Sequence, residues 1–206
     1  MKAHLIPLVC ALILPACGGG STPTPTSGTL PLTSFSVISG GGSPSISSSA
    51  LSGTGSLVYS EALTAEANNF RLTFTLADGG SLSWVAYASN GLANGLEVRF
   101  TRTGNAINTT LRFNGGSESG ASQFLASGGN GTIEVFIDAH NGESPSHVLL
   151  YPGTTTNFAD TNATLNSEGG AFSSWANRGT GGGFFGVRLE NASLTEVVAS
   201  AAKFAD

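Results

Sequence analysis

TIEVFIDAHNGESPSHVLLY, residues 132–151, is the stretch on which the fold class turns. Ile133, Val135 and Ile137 alternate with Glu134, Phe136 and Asp138, the two-residue period of a strand with one greasy face. Asn141-Gly142 supplies a turn, since both residue types accept positive φ, and Val148-Leu149-Leu150-Tyr151 returns as a mostly apolar strand. The expectation is an antiparallel hairpin, and it carries the densest group of ligand-type side chains in the chain.

The same alternation recurs outward from that hairpin. Phe70, Leu72, Phe74 and Leu76 share one face of a run, Asp78-Gly79-Gly80 predicts a chain reversal, and Leu82 to Ala88 returns with Trp84. Leu96 to Arg102 alternates again and pairs with Ile107 to Phe113 through Thr103-Gly104-Asn105. Leu32 to Ile38 and Leu57-Val58-Tyr59 read as earlier strands around a Gly/Ser/Pro-rich loop, residues 40–49. Phe184 to Glu190 and Leu194 to Ala199 read as two late ones, beyond an irregular stretch at residues 152–183. Residues 62–68 have room for one or two helical turns and no substantial helix is expected elsewhere. About ten strands with Gly/Asn/Asp turns predict an all-β body, an antiparallel β-sandwich of jelly-roll type.

Composition agrees. Apolar residues make up 40% of the 206 and charged ones 10%, with 29 glycines, which excludes a disordered polyelectrolyte. Residues 31–206 fit a single domain. The net charge is −5, and no run of Lys or Arg stands ready to neutralise phosphates, so nucleic acid and a polybasic hold on anionic lipid are excluded as partners. Both cysteines, Cys10 and Cys17, precede residue 31, so the body has no disulfide.

The first residues read as an export signal. Met1-Lys2-Ala3-His4 is weakly basic, and Leu5 to Leu14 is apolar but too short to span a bilayer, which takes about 20 residues in a helix. Leu14-Pro15-Ala16-Cys17 resembles the lipobox of bacterial lipoproteins. That resemblance implies a signal peptide at residues 1–16 and a lipid on Cys17. It places the protein in a bacterial cell envelope, at the outer membrane if the cell is Gram-negative. Residues 17–30, rich in Gly, Ser, Thr and Pro, would serve as a tether. The competing reading is a secreted protein whose leader happens to contain a cysteine.

The strand order and the closing Gly183-Phe184-Phe185-Gly186-Val187-Arg188-Leu189-Glu190-Asn191 resemble a concanavalin-like or laminin-G-like jelly roll, in which a late strand lies near the first. Within the hairpin, residues 138–148 are similar to the metal loop of legume-type lectins. By that likeness Asp138, Asn141 and Glu143 are oxygen ligands for calcium and His147 serves a transition ion. The loop is shorter than in that family, and Phe136 stands where a further carboxylate is usual. The plain alternative is a polar turn in water.

Two further sets of residues bear on function. Glu134 and Asp138 share a strand face, as acids do in laminarinase-like glycoside hydrolases, but four strand residues put their Cα atoms about 13 Å apart, against the carboxyl spacing of roughly 5 Å that retaining chemistry needs. For sugar binding the candidates are Trp175, Asn177 and Arg178 in the late loop, with Tyr151, since loops carry binding more often than strands do. Trp84 and Tyr87 sit in an apolar strand and read as core. Nucleophilic catalysis finds no support: the body holds only His140 and His147, and no Gly-x-Ser-x-Gly elbow occurs. The leading expectation is therefore a lipid-anchored envelope protein with a lectin-like sandwich that binds a carbohydrate or other surface ligand. A structural or adhesin lipoprotein with no small ligand is the alternative, and a polysaccharide-active enzyme stands third.

Overall fold

The computed structural model describes residues 28–63, 67–113, 119–125, 132–140, 147–153, 162–167 and 182–200. Its strands, in chain order, are β1 (Gly28–Thr29), β2 (Phe35–Gly42), β3 (Ser45–Ile46), β4 (Leu51–Tyr59), β5 (Ala67–Ala88) and β6 (Leu96–Thr103). They continue as β7 (Ala106–Phe113), β8 (Ser119–Leu125), β9 (Thr132–His140), β10 (His147–Pro152), β11 (Leu165–Asn166) and β12 (Phe184–Ser200). A 3-10 turn, Leu32–Ser34, leads into β2. All strand pairs among these residues are antiparallel, as expected of an antiparallel sandwich.

The architecture hangs on β5 and β12. They run side by side from Asn69↔Ser200 to Ala88↔Phe184. The first half of β5 pairs on its other edge with β9, and the second half with β6. From β9 the sheet continues to β10 and β11, and from β6 to β7 and β8, while β4 and then β2 lie beyond β12. The two halves of β5 thus belong to two layers, and the sheet folds over between them.

Ring contacts establish how far it folds. Phe70 and Trp84 lie on the same strand, and full extension at about 3.3 Å per residue would part them by roughly 45 Å. Their ring centroids are 4.9 Å apart. Phe74 meets Phe100 of β6 at 5.2 Å in the same way. The corner is residues 77–80, where Leu76↔Ala192 gives way to Ser81↔Glu190, so that β5 carries a bulge of several residues against Asn191. Gly79 has φ +74°, and the chain at Gly80 comes so close to β12 that a Cβ would lie 2.7 Å from the Asn191 carbonyl oxygen.

Three expectations are corrected here. Asp78-Gly79-Gly80 does not reverse the chain into a hairpin: both flanking runs take their hydrogen bonds from β12, and one strand bends through the glycines. The two late strands are likewise one, β12, continuous across Asn191 (φ +48°). Residues 40–49, read as a loop, hold the end of β2 and all of β3.

The core lies between the layers. Leu72, Phe74, Leu82, Val98, Phe100, Val135, Ile137 and Leu194 are fully buried in one continuous cluster. Phe35, Tyr59, Phe70 and Phe185 link β2, β4, β5 and β12 through centroid distances of 5.1 Å for Phe35–Tyr59, 4.9 Å for Tyr59–Phe185 and 5.3 Å for Phe70–Phe185. Trp84 and Tyr87 are core, as their apolar strand implied. β9 and β10 pair antiparallel as expected, with Asp138 opposite Leu149. β1 lies against the end of β12, Gly28 opposite Ala199, so the sheet takes in two residues of the stretch read as tether.

Candidate functional site

On the layer formed by β6, β7 and the second half of β5, inward side chains alternate with an outward polar set. Leu82, Trp84 and Ala86 point to the core, leaving Ser81, Ser83 and Val85 outside; Val98 and Phe100 do the same for Glu97 and Arg99. Strand register lines these outward residues into rows that cross the sheet. One reads Thr110, Arg99, Ser83, Arg188, Ser56 from β7 to β4. The row on one side reads Asn108, Thr101, Ser81, Glu190, and that on the other Arg112, Glu97, Val85, Gly186, Val58.

The centre of this face is Glu97, only 7% exposed. Arg188 donates from Nη1 to its Oε2 at 2.7 Å, and Arg112 donates to the same oxygen from Nη2 and from Nε, the latter at 3.2 Å. Burial alone would raise the Glu97 carboxyl, but hydrogen bonds from Ser83 and Arg112 and the charges of Arg188 and Arg112 outweigh it, and the group is held below the ordinary glutamate value. Arg188 is held further by donating from Nη2 to the Leu92 carbonyl at 2.6 Å. Arg99 is tied more loosely. Its Nη2 divides itself between Ser81 Oγ at 3.2 Å and Glu190 Oε2 at 3.4 Å, while its buried Nε has no hydrogen-bond partner among the described residues.

Above these rows lies a cleft of about 410 Å³. Its floor is Ser56, Ser81, Ser83, Arg99, Arg188 and Glu190, and its wall is Gly40–Gly42 of β2. The wall exists because pairing jumps from Val37↔Leu57 to Gly42↔Gly55, so the residues between bulge off the sheet. A second hollow of about 230 Å³ shares Glu97, Arg112 and Arg188 with the first and adds the apolar Val85 and Leu92. Donors and acceptors thus alternate on a rigid strand surface beside a small greasy step, an arrangement suited to a ligand with many hydroxyls or a charged substituent.

The residues expected from sequence fall elsewhere. Trp175, Asn177 and Arg178 lie outside the described residues, as do Asn141, Glu143 and Cys17. Tyr151 corrects an expectation: it is 1% exposed, opposite Phe136, and offers no ring to a ligand at the surface. Asp138 is equally buried and faces Asn69, itself 2% exposed. His147 opens β10 opposite His140. Among the described residues no three His, Cys, Asp or Glu side chains converge as a metal site. Glu134 and Asp138 share the outer face of the other layer, but Glu134 is 40% exposed and faces Arg71 at 4.0 Å, whereas Asp138 is shut in.

Part of the Glu97 cluster is within reach of sequence reasoning. A two-residue turn at Gly104-Asn105 sets Thr103 opposite Ala106, and counting back along both strands puts Glu97 opposite Arg112. Arg188 comes from a strand far along the chain, and only the fold brings it there.

No protein-family model matches the chain, and no curated protein does. Solved structures do. A carbohydrate-binding module, CBM66 from Bacillus subtilis, superposes with a TM-score of 0.55 at 12% identity, over 81% of this chain and 95% of that one. A legume lectin-like domain from Entamoeba histolytica gives 0.53 at 8% identity over 83% and 91%. The exoplasmic/lumenal domain of VIP36, bound to calcium and mannose, gives 0.51 at 11% identity over 84% and 85%. At such identities the likeness is one of fold: this chain is an antiparallel sandwich of the lectin-like, jelly-roll kind.

Proposed function

We propose that the protein is a carbohydrate-binding domain of lectin type, that it takes its ligand in the cleft on the outer face of β4, β5, β6 and β12, and that a lipid on Cys17 holds it in a bacterial cell envelope. The observation that carries the reading is the cleft itself: hydroxyls of Ser56, Ser81 and Ser83 interleave with Arg99, Arg188 and Glu190 on one stiff floor. Pyranose hydroxyls each donate and accept, and such a floor answers both needs without ordering a loop. Lectin-like relatives of fold, one of them a mannose complex, support the same class of ligand.

The test is a glycan array probed with the mature chain, followed by calorimetry on the hits. Ser56→Ala combined with Ser81→Ala removes two hydroxyls from the floor at about 0.5–1.5 kcal/mol each, so affinity should fall roughly ten-fold. A blank array with folded protein would sink the reading and return the structural or adhesin alternative. Measuring each hit in calcium and in EDTA tests calcium at the β9–β10 hairpin. There Asp138 and Asn69 set two buried oxygen-bearing side chains next to each other, a donor type that suits a hard cation.

Anchoring rests on Leu14-Pro15-Ala16-Cys17. Two or more acyl chains give stable attachment at about 0.8 kcal/mol per buried CH₂. Cys17→Ser should move the protein from the membrane pellet to the soluble fraction. Unchanged fractionation would remove the lipid from the account.

A further inference from the structure

The charges in the cleft do not balance, and their placement is uneven. Arg99, Arg112 and Arg188 are half of the six arginines in a chain of net charge −5, yet all three line one cleft with only Glu97 and Glu190 opposing them. Glu97 is consumed by Arg112 and Arg188 together, which leaves that trio with one surplus positive charge. Arg99 stands in the same cross-strand row as Arg188 with Ser83 between them, so the two Cα atoms flank the serine at about 5 Å on either side. Its counter-ion, Glu190, is 56% exposed and 3.4 Å away, a rim pair of small worth.

From this the geometry points to an acidic saccharide as the ligand, with one carboxylate or sulfate group seated over Ser83 between Arg99 and Arg188. The inference rests on the carbohydrate reading above and narrows it. A planar carboxylate or a sulfate offers several acceptor oxygens. Arg99, whose bonds to Ser81 and Glu190 use Nη2 alone, turns to it as the hydrogen-bond donor, while Arg188, held by Glu97 and the Leu92 carbonyl, lends its fixed charge from the other side of Ser83. Neighbouring hydroxyls of the sugar then meet Ser56, Ser81 and Glu190. A single clamp within an otherwise acidic chain takes one anionic group, not a track of them. The site therefore favours one acidic residue over long polyanions, which the net charge repels.

Glu190 gives the proposal a sign that a merely structural role does not produce. It competes with the anion for Arg99, so Glu190→Gln should tighten binding several-fold, while Arg99→Gln should weaken it about ten-fold or more. Both residues lie in an exposed pair, and each variant should melt close to the wild type.

The experiment measures binding of uronate trisaccharides (galacturonate, mannuronate and guluronate) beside their carboxyl-reduced counterparts, and of a sulfated galactan trisaccharide beside its desulfated form. Each is run on wild type, Arg99→Gln and Glu190→Gln at low and high salt. The expected result is a preference of about ten-fold or more for the acid of a pair, lost in Arg99→Gln, enhanced in Glu190→Gln and weakened by salt. Whether the uronates or the sulfated sugar carry the preference identifies the anion. If neutral partners bind as well as the acids and Arg99→Gln changes nothing, the acidic ligand is overturned and the carbohydrate reading stands. If no probe binds and the array is blank as well, both fall.

Discussion

Gly80→Ala should cost about 3 kcal/mol or more, enough to remove much of the stability of a domain that has roughly 5–15 kcal/mol in all. A Cβ on Gly80 would stand 2.7 Å from the Asn191 carbonyl oxygen, 2.9 Å from that of Glu190 and 3.0 Å from that of Ala77. All three are backbone atoms. None can yield by turning a side chain, so the methyl pushes β5 away from β12 at the point where the sheet changes layer. Gly79 is the internal control. It has φ +74°, but a methyl there would meet nothing within 4 Å, so Gly79→Ala should cost only the left-handed penalty of about 1–2 kcal/mol. Urea unfolding followed by tryptophan fluorescence reads both, because Trp84 is packed against Phe70 across the fold-over. Equal midpoints for the two variants would mean that the corner is not closed as described.

The second large effect is expected at Glu97. Glu97→Gln keeps the shape but leaves Arg112 and Arg188 facing a neutral amide, and about 3 kcal/mol should be lost. That is the lower end for stripping one partner from a buried ion pair, because each arginine remains about a third exposed. The pH dependence fixes the sign. The folded carboxyl lies below the ordinary glutamate value, so its stabilisation is complete above a pH of about 4.3 and drains away as pH falls through the folded value. The gap between wild type and Glu97→Gln should therefore be wide at neutral pH and narrow in acid. Urea midpoints taken at falling pH check this, and a gap of constant width would show that the charge is not what the arginines hold.

How much of the molecule is legible in its sequence follows from the range of each interaction. Residues 132–151 and 96–113 are local hairpins whose alternation announces two adjacent strands, and in both the two strands pair as expected. At Gly104-Asn105 the turn residues give the register as well, whereas Asn141-Gly142 lies outside the described residues. The corner is not legible, because Asp78-Gly79-Gly80 has the composition of a reversal. Glycines that let a strand bend against a neighbour look the same, and only β12 distinguishes the two. Sparse charge is visible in the sequence too, but the acids and histidines that crowd one hairpin there outweigh arginines scattered along the chain. Arg188 meets Glu97 only after β12 has been laid beside β5, which in turn lies beside β6. Tyr151 is deceptive for a related reason: its alternation places it outward, and burial of an outward face depends on what packs over it, not on period.

β12 has one more consequence, which concerns the order of events in folding. It is hydrogen-bonded to β1, β4 and β5, all of which precede it by long stretches of chain, and it completes both layers at once. Until it arrives, β4 and β5 have bare edges towards each other and the aromatic group around Phe185 lacks its middle ring. Contacts so distant in sequence make for slow collapse to the native state. A nascent chain that lacks this strand therefore cannot join β4 to β5, and the sandwich closes only once β12 has been made.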